Sequence, residues 1–266
     1  MALVPFPGPQ SGTYDSHLEE DDVASDSKMS FLEHLDELRK RIINSCIAVA
    51  VGVLLGFGFI DKIFNFIFAP TRRALPPGVK LIYTRPGEAF SLYIEVALII
   101  GVVLAAPFIM YQVWRFIAPG LYSNEKRFAI PFVLFTTLGF LTGAAFNHFI
   151  AFPFIMAFFA SFNTPDLAFM PKLEDVFGLY SRTLIGMGIV FQMPTVVFFL
   201  AKMKLLTSRF LLTNFKYALL LIFVVAAVIT PTGDMMTQTI FAAPMVGLYL
   251  LSIVIAWLVG PKHVKS

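Results

Sequence analysis

Charge is what this sequence has least of. Of 266 residues, 14% are Asp, Glu, Lys or Arg, 58% are hydrophobic, and the mean hydropathy is +0.78. Soluble domains carry about 25% charged residues, so a water-soluble globular fold is excluded. Cysteine is nearly missing: Cys46 stands alone, so no intramolecular disulfide is possible and the redox compartment stays unread. Catalytic signatures are missing too. The chain has no His-Glu-x-x-His helix, no Gly-x-Ser-x-Gly elbow, no paired membrane aspartates and no phosphate-binding glycine loop. We therefore expect no enzyme, no cofactor, no bound metal and no nucleic-acid partner, and the energy for any transport must come from elsewhere. No basic start precedes an apolar core at the N-terminus, so a cleavable signal peptide is not expected.

What the sequence has instead is long uncharged runs, with thirty Phe and eleven Met to fill lipid-facing and helix-packing surfaces. Ile42–Ile60, Val96–Trp114 and Thr183–Ala201 each run 19 residues without a charge. Phe128–Pro165 runs 38, Tyr217–Gly233 17 and Met235–Pro261 27. A helix needs about 20 apolar residues to cross ~30 Å of hydrocarbon. The longest run exceeds one span but is too short for two with a connection. Pro153 and the turn Ser161-Phe162-Asn163-Thr164-Pro165 are expected to divide it into a span and a short surface or re-entrant segment. The expected fold is an all-α polytopic membrane protein of six spans, at about 42–60, 92–114, 128–151, 176–200, 215–230 and 236–258. The fifth is short, because Pro231 and Gly233 end its helix near Thr230.

An even number of spans puts both termini on one side. With the termini cytoplasmic, thirteen Lys and Arg fall inside and six outside, which sets the orientation. Residues 1–28 hold six acids against Lys28, with Pro5, Pro7, Pro9 and Gly8 before them. They read as a disordered acidic cytosolic tail. Residues 29–260 form the membrane domain, and 261–266 a short cytosolic tail.

Two cytoplasmic segments hold the candidate chemistry. Ser30 and Glu33 form a capping box, predicting a helix start. Phe31, Leu35 and Leu38 then share one face, and Glu37 and Arg41 stand in the favourable order for an i,i+4 ion pair. The same pattern describes an amphipathic helix anchored at the membrane surface. Between the second and third spans runs Tyr111-Gln112-Val113-Trp114-Arg115-Phe116-Ile117-Ala118-Pro119-Gly120-Leu121-Tyr122-Ser123-Asn124-Glu125-Lys126-Arg127. Pro119-Gly120 forces a turn, and Glu125 is either a helix-start carboxylate or something more specific.

Taken in order, Leu35…Glu37-Leu38-Arg39-Lys40-Arg41, Phe68-Ala69-Pro70, Tyr111-Gln112-Val113-Trp114-x-Phe116-Ile117-Ala118-Pro119-Gly120-Leu121, Pro194, Thr230-Pro231…Asp234…Gln238-Thr239 and Ala243-Pro244-Met245 resemble the TatC family. That family is the six-span component of the twin-arginine (Tat) protein translocase. The resemblance implies a concave helical receptor in the cytoplasmic membrane that binds the twin-arginine signal peptides of folded cargo and exports them on the proton gradient. It implies Glu37 and Glu125 as the recognition carboxylates, with Phe116, Arg39, Arg41, Lys126 and Arg127 around them. Guanidinium pairs bidentately with carboxylate where ammonium does not, so two carboxylates suit an arginine pair. Implied partners are single-span TatA- and TatB-type components near the fourth to sixth spans, the lipid bilayer, and further copies of this chain. Pro70 would help set the outer cap.

Polar residues within the spans carry the remaining expectations. Glu95 and Arg182 could snorkel outward or pair with each other. His148 is expected at the outer interface. Gln192, two residues before Pro194, stands where many relatives have glutamate and cannot titrate. It is a candidate contact to a partner helix or to water, as are Pro194, Asp234 and Gln238, and interhelical packing is the alternative. Gly52-x-x-x-Gly56 and Gly139-x-x-x-Gly143 occur about as often as chance allows and are given little weight. Ala105-Ala106-Pro107-Phe108 and Ala242-Ala243-Pro244-Met245 fall in non-equivalent spans, which speaks against the inverted repeats of a transporter.

Overall fold

The computed structural model describes residues 16–75, 79–117, 129–164, 166, 168–230 and 234–260. Among them the named elements are helices, and an isolated parallel bridge pairs Ile82 with Lys172. The helices are α1 (Ser16–Phe57), α2 (Ile60–Ala74), α3 (Glu88–Ile117), α4 (Ala129–Phe146), α5 (Phe152–Ala160), α6 (Leu173–Val190), α7 (Met193–Lys202), α8 (Ser208–Thr213), α9 (Phe215–Ile229) and α10 (Met235–Val259). Glu33–Phe57, Glu88–Phe116, Ile130–Ala160, Leu173–Lys202 and Met235–Val259 are long and apolar enough to cross a membrane, while Phe215–Ile229 is shorter. The chain is a multi-pass membrane protein. The end where α1 carries Glu37 and α3 finishes is the rim, and the end where α2 lies is the cap.

Several expectations are corrected. α1 runs helical from Ser16, so Ser30 lies inside a helix rather than at its start. Residues 1–15 and 261–266 lie outside the described residues. The chain does not stop at Pro153 either. A π turn over Asn147–Ala151 joins α4 to α5, and the helix runs on to Ala160. Proline has no N–H for the carbonyl four residues back, here Phe149, and the widened turn absorbs that missing bond. It also turns Asn147, His148 and Ala151 inward.

Pro194 has the opposite outcome. Its partner carbonyl would be that of Val190, and α6 ends at that residue. Phe191 and Gln192 form a turn, closed by the Gln192 amide donating to the Ile189 carbonyl at 2.9 Å, and α7 starts at Met193. The fourth span is thus two helices with a hinge. The fifth is short as expected, ending at Ile229.

The glycines given little weight are close-approach points. A Cβ on Gly52 would stand 2.6 Å from the Gly101 carbonyl oxygen, and one on Gly143 2.6 Å from that of Met187. Backbone thus meets backbone where α1 crosses α3 and where α4 crosses α6. Two aromatic cores complete the packing. Trp114, Phe132 and Phe199 bring α3, α4 and α7 together near the rim, with ring centroids 4.7 to 5.3 Å apart. Phe68, Phe152, Phe177 and Tyr180 fill the space under the cap. Glu95 and Arg182 are both exposed and no ion pair joins them, so the pairing alternative fails.

Candidate functional site

At the rim, helical spacing places Glu37 and Arg41 on one face of α1, and an ion pair joins them. The Arg41 Nη1 also donates to Gln112 Oε1 of α3 at 3.3 Å. Gln112 is buried, so the guanidinium is held between a carboxylate of its own helix and an amide of the next. One turn further along α3, the Phe116 ring stacks on His34 of α1, centroids 4.5 Å apart. Between these contacts lies an apolar hollow of about 340 Å³, lined by Leu38, Arg41, Cys46, Gln112, Val113 and Phe116. The bond to Arg41 engages one Glu37 oxygen, Oε1, and the side chain stays 36% exposed. This surface therefore offers a carboxylate next to an aromatic and an apolar recess, which suits a basic and apolar peptide segment.

Of the residues expected here, Glu37, Arg41 and Phe116 come together. Arg39 is exposed on the same stretch of α1. Glu125, Lys126 and Arg127 lie outside the described residues. Sequence reasoning missed His34 and gave Gln112 no separate role. Gln112 sits four residues before Phe116, and that helical spacing was the available signal.

Deeper in, the hinge holds Gln192. Its amide nitrogen donates to the Thr136 carbonyl of α4 at 2.9 Å, while its Oε1 is buried without a partner. The interhelical tie is therefore made within the chain. Pro194 lines an apolar groove of about 560 Å³ between α4, α7 and α10, along with Phe135, Phe198, Leu248, Leu251 and Leu258. Asp234 caps α10, accepting from the Thr237 amide at 2.7 Å. Gln238 donates to the Phe223 carbonyl of α9 at 2.8 Å. Gln238 thereby joins the last two spans, and Asp234 fixes the start of the last one.

The cap is built differently. Glu88 is buried and accepts from three backbone amides, Thr84 at 2.9 Å, Arg85 at 3.2 Å and Glu174 at 3.4 Å. Those bonds tie the segment before α3 to the start of α6, and the Ile82–Lys172 bridge adds the Leu173 amide donating to Ile82 at 2.9 Å. Arg85 and Glu174 form an exposed ion pair; the hydrogen bond that Arg85 donates to Glu174 raises the arginine above its already high ordinary value, so it stays charged. Pro70 is buried within α2. His148 is buried too: its ring stacks on Phe66 at 4.0 Å and its Nδ1 is 3.2 Å from the Tyr180 hydroxyl. The π turn brings it in; Pro153 marked an irregularity in that run but not the inward rotation of His148.

Residues 33–244 match the family model described as Sec-independent protein translocase protein (TatC). The chain is 42% identical over 238 residues to the Sec-independent protein translocase protein TatC of Koribacter versatilis, covering 88% of each. It is 41% identical to that of Desulforapulum autotrophicum, covering 89% of this chain and 87% of the relative. A crystal structure described as the twin-arginine translocase receptor TatC superposes with a TM-score of 0.73 at 36% identity, covering 85% of this chain and 99% of the other.

Proposed function

The chain belongs to the TatC family of Sec-independent protein translocases, and from that premise we propose that its rim is the receptor surface for twin-arginine signal peptides. The observation that carries this reading is the state of Glu37. Among the described residues its one bonding partner is Arg41 on its own helix, its second oxygen has none, and an apolar recess ending at Phe116 lies beside it. An incoming arginine can share or displace the Arg41 contact through a bidentate pair, and the apolar residue after the arginines fits the recess. Glu125, contributed by the second rim segment, takes the other arginine. Arg39, Lys126 and Arg127 are assigned to the same peptide-binding role.

In this reading the termini are cytoplasmic and the protein resides in the cytoplasmic membrane. Folded cargo is exported on the proton gradient together with TatA- and TatB-type single-span partners and further copies of the chain. The groove between α4, α7 and α10 supports the placement of a single-span helix there, because it is apolar and open along a spanning helix.

The test is photo-crosslinking of a twin-arginine signal peptide to the protein in membranes. Glu37→Ala and Glu125→Ala are each expected to weaken capture by roughly tenfold or more, the loss of one charge-assisted contact. A peptide with Lys-Lys in place of the arginines is expected to bind no better than the variants. Equal capture of the lysine peptide, or unchanged capture by both variants, overturns the reading.

A further inference from the structure

On the cap side, α2 and the π turn enclose a groove of about 370 Å³ lined by Phe66, Pro70, Arg73, His148, Phe149 and Pro153. We propose that this groove binds the phosphate headgroup of an anionic phospholipid between Arg73 and His148, with the lipid chain lying along Phe66 and Phe149.

Three observations carry the assignment. The first is an unspent cation. Arg73 is exposed and makes no hydrogen bond or ion pair with a described residue. Its neighbour Arg72 donates to the carbonyl and the side-chain oxygen of Asn65, at 2.9 and 3.0 Å. Of the acids toward the cap, Glu88 is bound to backbone amides and Glu174 to Arg85, and no ion pair joins Arg73 to Asp61, Asp166 or Asp175.

The second is a second donor. When the Tyr180 hydroxyl donates to Nδ1, the neutral imidazole of His148 carries its proton on Nε2. That nitrogen makes no hydrogen bond to a described residue, and the ring lines the groove. A planar guanidinium and an imidazole lining one recess suit a phosphate diester.

The third is depth. His148 lies roughly 27 Å along the helix from Ile130 at ~1.5 Å per residue, about one hydrocarbon thickness. It therefore stands where headgroups begin, and Phe66 and Phe149 beside it are more than half exposed, at 52% and 66%. Exposed aromatics at that level face lipid rather than water. A free phosphate gains nothing from them, whereas a phospholipid buries its glycerol and upper chain against both rings.

The experiment is native mass spectrometry of the full chain released from nanodiscs of mixed phosphatidylethanolamine and phosphatidylglycerol. Wild type is expected to retain phosphatidylglycerol in preference to phosphatidylethanolamine. Arg73→Gln is expected to retain roughly tenfold less of it, with an unchanged melting midpoint, because one charge-assisted contact is lost. Arg72→Gln, which removes the same charge one residue away, is expected to leave retention unchanged. Excess inorganic phosphate is expected not to displace the lipid. Equal loss in both variants reduces the effect to general surface charge and overturns the proposal. So does retention that Arg73→Gln leaves intact, a wild type with no preference for the anionic lipid, or displacement by free phosphate, which marks a water-filled anion site instead.

Discussion

Glu37 at the rim and Glu88 at the cap are both carboxylates near the end of a spanning helix, yet they are treated in opposite ways. Glu88 is 4% exposed and saturated by three backbone amides. Glu37 leans on a single arginine of its own helix, and its side chain is a third exposed. The cap uses its polar groups to fasten loops that no hydrophobic run could hold together. The rim keeps a carboxylate, an aromatic and an apolar recess within reach of a ligand. A carboxylate's availability is set by how many donors the fold has already given it, not by its place along the chain.

If that contrast is right, Glu88→Ala should do the most damage. Three backbone amides would lose their acceptor in a buried place, so assembled protein is expected to fall sharply and the survivors to melt well below wild type in detergent. Glu37→Ala at the rim should leave the same melting curve unchanged while losing peptide. A Glu88→Ala protein as stable as wild type would erase the distinction.

A sharper version lies at the hinge. Gln192→Leu removes the tie to Thr136 but also removes a buried oxygen with no partner. The two effects offset, so the expected cost is no more than about 1 kcal/mol by denaturant titration in mixed micelles. The smallest effect should come from Arg85→Gln. Its pair with Glu174 is exposed on both sides and screened by water, so no resolvable shift of the melting midpoint is expected. A large drop there would mean that the cap is held by its ion pair and not by Glu88.

Much of the helical layout was legible because lipid forbids charge along a span. The runs Ile42–Ile60, Val96–Trp114 and Met235–Pro261 each mark a helix that forms, and the short fifth span was readable from Pro231 and Gly233. The Glu37–Arg41 pair was readable because four residues is one helical turn. The meeting of Arg41 with Gln112, and of His34 with Phe116, was not, since those contacts depend on how α1 crosses α3. That crossing rests on Gly52 and Gly101, and small residues announce close approach only once the neighbour is known. Prolines misled in the same way. Pro153 and Pro194 remove the same backbone bond, yet one is absorbed in a π turn and the other breaks the span.

By itself, then, the sequence determined a polytopic helical membrane protein and the local pairing at the rim, because hydropathy and helical period act over a few residues. The tertiary structure alone decided which carboxylate is spent, which proline breaks its helix and which arginine of α2 has no partner among the described residues. Those outcomes depend on donors and space supplied by helices distant in the chain, and no local pattern encodes that supply.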